Sequence, residues 1–192
     1  MKALNQYITE KFQVGKDYKR QYAYHPKDTD ELISCIKDKI EKEGLGTEEN
    51  PLDLNDIDTS KITDMYELFD VVDGELQYLS KNGHFDISDW DVSNVENMEY
   101  MFGNSNFDGD LSDWDVSSVT NMKSMFRYSE FTGKNGDIGH WNVSNVKSMR
   151  NMFGGSRFDG DISNWDVSNV ENKLFMLDNC PLQKHPPKWY KK

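Results

Sequence analysis

The string FDGDLSDWDVSSVTNMKSMF at residues 107–126 returns with few changes as FDGDISNWDVSNVENKLFML at residues 158–177. Repetition at a fixed interval means that one structural unit is used several times and that its stability comes from its neighbours. The tryptophans set the interval: Trp90, Trp114, Trp141, Trp165 and Trp189 are 24, 27, 24 and 24 residues apart. The long interval holds a three-residue insertion around Lys134, Asn135 and Gly136. A degenerate first copy starts at Leu54, with Ile57 in the Trp place and Met65, Leu68 and Phe69 behind it, and a half copy runs from Leu182 to Trp189. The step from Ile57 to Trp90 exceeds the period by nine residues, which makes residues 71–84 a second insertion. Insertions project from one face of a repeat protein, so this one is a candidate specificity loop.

Within one copy, the spacing of Ile162, Trp165 and Val167 predicts a short strand that turns Trp and Val inward and the intervening Asp outward. The serines that follow, Ser60, Ser93, Ser117, Ser144 and Ser168, stand where an N-cap is expected, and Glu96 and Glu171 lie three residues on, as in a capping box. Val95, Met98, Met101 and Phe102 then recur at helical spacing, with Gly103 at the expected stop. The predicted fold is therefore α/β: a parallel solenoid of about five 24-residue coils, each a strand, a cap, a helix and a turn, spaced like a leucine-rich repeat.

Residues 1–53 read as an N-terminal helical cap, 54–178 as the tandem repeats and 179–192 as a C-terminal capping half-repeat. In the cap, Leu4, Tyr7, Ile8 and Phe12 mark one amphipathic helix ending near Gly15. A second is marked by Leu32, Ile33, Ile36 and Ile40 and opened by Asp28, with Glu31 three residues later. Tyr18, Tyr22 and Tyr24 between them fall on one side of a short strand. The Pro- and Lys-rich tail from Cys180 to Trp189 suits the covering of an open edge.

Strings such as the one at 107–126 resemble the BspA-type leucine-rich repeats of surface proteins in Mycoplasma, spirochaetes and gut bacteria, and of mobile-element and phage proteins. The resemblance covers about residues 54–189 and rests on Trp-Asp-Val-Ser-Asn-Val followed by Asn-Met-x-x-Met-Phe. It implies a parallel solenoid used for protein binding, with adhesion to host or microbial partners in the secreted members.

Charge narrows the function. The net charge is −12, and it is unevenly spread: −3 over residues 1–56, −13 over 57–178 and +4 over 179–192. Between Asn82 and Met122 there is no Lys or Arg, yet nine acidic residues occur. Such a surface repels DNA and anionic membranes, so neither is an expected partner. Two cysteines, Cys35 and Cys180, do not make a disulfide framework. The N-terminus has no apolar signal core and no stretch approaches the length of a membrane span, which points to a cytoplasmic chain, or to a secreted or surface one where a signal has been trimmed.

No catalytic arrangement stands out. His25, His84, His140 and His185 are scattered, no Gly-rich loop precedes a Lys-Ser/Thr helix, and neither Cys sits beside a base in sequence. The reading is that the protein is not an enzyme and uses no cofactor or metal. The pairs Asp108/Asp110 and Asp159/Asp161 could suggest calcium, but the EF-hand spacing fails because Val119 stands where its bidentate Glu belongs. The candidate partner-binding residues are Asp58, Asp91, Asp115, Asn142 and Asp166, which should stack across neighbouring copies, and Asp89 and Asp113 beside them. Stacked like charges are unfavourable. Either neighbouring Ser, Asn and water screen the column, or it holds a cation, or it recognises a basic protein on a concave acidic face. That partner could be a nucleic-acid-handling enzyme inhibited by a mimic of phosphate charge in a phage or mobile-element setting. A further alternative is a fragment of a surface adhesin.

Overall fold

The computed structural model of the protein describes residues 21–191. The first predicted cap helix, and Tyr18 after it, lie outside the described residues. Helix α1, Thr29–Glu43, forms where the second is expected. Asp28 caps it by accepting the Glu31 amide at 2.9 Å, while the Glu31 carboxylate reaches back to the Lys27 amide at 3.0 Å. Gly44, at φ 84°, ends it in a conformation that other residues adopt only at a cost. Its inner face buries Leu32 and Ile36 in the same core as the repeats. It is held to the first copy by Thr29, whose hydroxyl donates to the Asp64 carbonyl at 2.6 Å, and by Lys39, which meets both oxygens of Asp56 at 2.9 Å. Tyr24, just ahead of α1, pairs with Ile57 through a single parallel bridge.

The α/β solenoid of five strand-and-helix coils does not form. Regular structure among the described residues amounts to α1, the strands β1 (Leu52–Asp53) and β2 (Phe85–Asp86), the short helix α2 (Gln77–Asn82) and a 3-10 turn at Pro181–Lys184. β1 and β2 pair in parallel, Leu52 with Phe85, and make the only sheet among those residues. The remainder of each copy is turns and bends.

Where the backbone hydrogen bonds go explains the difference. Behind Ser93 a helix would pair its amides internally, four residues back. Instead Met98, Tyr100, Phe102 and Asn104 donate to the carbonyls of Asn121, Lys123, Met125 and Arg127 in the next copy, at 2.9, 3.0, 2.8 and 2.7 Å. Tyr100 and Asn104 stand at φ 57° and 56°, and this left-handed pair, four residues apart, recurs as Ser124 with Tyr128 and as Phe175 with Asn179. Such residues interrupt any right-handed helix. The ladder between copies runs through Asp64, Asn97, Asn121, Ser148 and Asn172, each bridged in parallel to the next. It therefore lies seven residues beyond the Trp position in the later copies, and not along Trp-Asp-Val, where the strand was expected.

Side chains stack in the same register. Phe69, Phe102, Phe126 and Phe153 form a column with ring centres 5.6, 5.4 and 5.6 Å apart, all fully buried. The tryptophans form another. Each indole N–H donates to a carbonyl of the preceding copy: Trp90 to Leu54, Trp114 to Ile87, Trp141 to Leu111, Trp165 to Ile138 and Trp189 to Ile162, at 2.9 to 3.1 Å. A buried Trp needs a partner for its N–H, and here that partner fixes the register between copies.

Candidate functional site

The aspartates that follow each Trp are occupied locally. The amides of Ser60, Ser93, Ser117 and Ser168 donate to the carboxylates of Asp58, Asp91, Asp115 and Asp166 at 3.0 or 3.1 Å, and the Ser144 amide donates to the Asn142 side chain at 3.2 Å. A side chain that accepts from the amide two residues on makes an Asx-turn, a local alternative to strand or helix. The serines are therefore not helix N-caps; they are the last residues of these turns, and Glu96 and Glu171 complete no capping box. Hydrogen bonds from the Ser117 hydroxyl and amide hold the Asp115 carboxyl below the usual carboxylate range, and Ser168 does the same for Asp166. At Asp58 burial pushes the pKa up, but hydrogen bonds from Ser60 and from His25 outweigh it and leave the group lowered.

Asp91, Asp115, Asn142 and Asp166 are exposed, whereas Asp58 is half-buried beside His25. Among the described residues no strand runs through the column, which lies on turns and bends. The remaining two candidates, Asp89 and Asp113, do come together. With Glu48, Asp86, Asp108 and Asp110 they line an open groove of about 500 Å³ that has no lysine or arginine among the described residues of its walls. Its floor includes the buried Phe85 and Phe107, whose rings lie 5.1 Å apart.

The groove sits where the repeat departs from its period. Gly83 and His84 on one rim come from the 71–84 insertion, and Asn135 on the other from the three-residue insertion. The first insertion is packed in place: α2 buries Leu79 and Ser80, and the Asn106 amide and side chain donate to the Ser80 and Lys81 carbonyls at 3.0 and 2.7 Å. Most of the Asp-Gly-Asp carboxylates serve the backbone. Asp108 takes the Thr132 amide at 2.7 Å and its hydroxyl at 2.9 Å, Asp110 takes the Ser112 amide at 2.9 Å, and Asp161 takes that of Ser163 at 2.8 Å. Among the described residues, no three His, Cys, Asp or Glu side chains are placed to hold a metal ion.

Glu48 and Asp86 were not among the sequence candidates. Glu48 lies outside the repeat, and Asp86 differs from other repeat acids only by standing next to the first insertion. What joins them is the fold of 71–84, which no local pattern reports. Among the described residues no helix is long and apolar enough to cross a membrane. Both cysteines are free, with burial raising the pKa of each thiol.

No curated protein and no solved structure matches the chain. Residues 45–130 and 74–189 match the family described as Mycoplasma protein of unknown function, DUF285. The two matches overlap and take in the groove, both insertions and the Trp repeats from Trp90 onward. The chain belongs to the DUF285 family, which in general terms is the Mycoplasma-type BspA-like repeat family.

Proposed function

We propose that the protein is a non-catalytic binding module whose acidic groove docks a basic segment of a protein partner. The observation that carries this reading is the convergence of both insertions on one groove walled by Glu48, Asp86, Asp89, Asp108, Asp110 and Asp113. In a repeat protein most positions are set by stacking, and the places where the period breaks are free to take on recognition. Carboxylates fixed on packed turns, with no lysine or arginine among the described residues of the walls, favour Lys- and Arg-rich segments and speed their approach. The reading applies to the groove and not to the Asp91, Asp115 and Asp166 column, which lies outside it.

The test is calorimetric titration of a short Lys/Arg-rich peptide into the protein and into the triple variant Asp89→Asn, Asp110→Asn, Asp113→Asn. Asn retains the acceptor that Asp110 gives Ser112, as Asn142 shows for Ser144. The expected result is binding that weakens as ionic strength rises and that is at least about tenfold weaker in the variant, roughly 1.4 kcal/mol. Equal affinity for both proteins, or affinity indifferent to salt, would overturn the reading.

A further inference from the structure

Among the described residues the ladder between copies ends in backbone donors that no further copy receives. Each copy passes four backbone amides to the next: those of Met122, Ser124, Phe126 and Tyr128 go to the carbonyls of Ser148, Arg150, Met152 and Gly154 at 2.8 or 2.9 Å. Met149, Asn151, Phe153 and Gly155 repeat this to Asn172, Leu174, Met176 and Asp178, at 2.7 to 3.0 Å. The equivalent donors of the last copy are the amides of Lys173, Phe175, Leu177 and Asn179. Asn179 is satisfied by the Gln183 side chain at 3.1 Å, and the Leu177 amide lies beside the Tyr190 hydroxyl. Among the described residues the Lys173 and Phe175 amides reach no carbonyl.

The tail covers only half of this end. Trp189 closes the tryptophan column through Ile162, and Leu182 donates to the Phe158 carbonyl at 3.3 Å, but neither reaches the turn at 173–177. A cavity of about 690 Å³ opens there between Leu174 and Phe175 on one side and Tyr190 on the other. At this edge a position that is charged in the three preceding copies becomes apolar. Where Glu99, Lys123 and Arg150 stand, the last copy has Leu174, 60% exposed; where Tyr100, Ser124 and Asn151 stand, it has Phe175, 50% exposed. Charge on the rim is mixed, with Lys173 and Lys191 facing Glu171 and Asp178, so neither sign of partner is selected.

We propose that this edge is a docking site for an extended apolar peptide segment of a protein partner, received as one further rung. Its alternate carbonyls accept the Lys173 and Phe175 amides, and an apolar side chain fills the space between Leu174, Phe175 and Tyr190. The chemistry is that of strand addition to an exposed edge, where main-chain bonds hold the peptide and a pocket reads its side chains. The occupant is defined by continuity: four junctions between copies already place carbonyls on the equivalent amides in one register. This site is independent of the acidic groove and, with two acids balancing two lysines on its described rim, is insensitive to salt.

The experiment uses the full chain, isotopically labelled, and an uncharged synthetic peptide of its own rung sequence, residues 121–128 with the Lys and Arg positions replaced by Thr and both ends blocked (NMTSMFTY). The expected result is saturable movement of the Lys173 and Phe175 amide signals and their protection from hydrogen exchange, unchanged in moderate salt. Leu174→Arg, which gives this exposed position the charge of the earlier copies, should weaken binding at least about tenfold. Peptide binding that leaves those two amides unmoved, or that is equal in Leu174→Arg, overturns the proposal. So does a failure of the peptide to bind together with a dimer of the chain that Leu174→Arg dissociates, since the edge would then pair with a second copy. The acidic-groove variant tells the two sites apart, because it should leave this titration unchanged.

Discussion

Trp141 shows how one residue serves two purposes. It is 4% exposed within the core, and its indole N–H binds the Leu111 carbonyl at 3.1 Å. Because that carbonyl also takes the Trp114 amide at 3.3 Å, removing the indole bond does not strand it. Trp141→Phe should then cost about 1–2 kcal/mol and Trp141→Ala about 3–5 kcal/mol, read as denaturant midpoints. No loss in Trp141→Phe would show that the N–H contributes nothing beyond bulk. Ser124 is the opposite case. It is fully buried at φ 56°, with a hydroxyl that finds no partner among the described residues. Ser124→Gly relieves both the left-handed strain and the unpaired oxygen. It should stabilise the protein by about 1 kcal/mol and raise Tm by about 2–4 °C. Ser124→Ala removes the hydroxyl but keeps the Cβ and should gain less; an unchanged or lower Tm in Ser124→Gly would refute the account.

At the scale of the element, the unit is the Asx-turn and not a strand or helix. Asp58, Asp115 and Asp166 have lowered pKa values in the folded state. Their contribution is thus fully present above the unfolded value of about 3.9 and is lost as pH falls through the folded values. Melting followed by circular dichroism from about pH 6 to about pH 2 should show Tm falling below about pH 4. Asp115→Asn with Asp166→Asn, which imitates Asn142, should make that fall shallower while leaving the neutral Tm nearly unchanged. An identical slope would mean these carboxylates do not couple folding to protons. The sequence pattern identified the buried positions here and misplaced the hydrogen bonds. Val95, Met98, Met101 and Phe102 are spaced as a helix spaces its inner face, but periodicity reports which residues point inward and is silent on where amides pair. The left-handed positions are held by Tyr100, Ser124 and Phe175 as often as by Gly or Asn, so composition does not betray them. In α1 the signals agree, because Asp28, Glu31 and Gly44 each specify a terminus by local chemistry.

For the whole molecule, the period, the inward-facing tryptophans and the acidity of the repeat body were legible from residues alone. The groove was not, since Glu48 and Asp86 meet Asp108 and Asp113 only after two insertions have been folded against the repeats. Those insertions carry a further lesson. Bridged positions in the ladder are separated by 33, 24, 27 and 24 residues, from Asp64 to Asn172. The parallel pairing is nonetheless unbroken, because the additional residues loop out between rungs. Register in this molecule is counted in rungs, so length can drift at the loops without shifting a single core contact. Such a protein can change what it recognises by rewriting its loops, as an instrument is refitted with a new head on the same shaft.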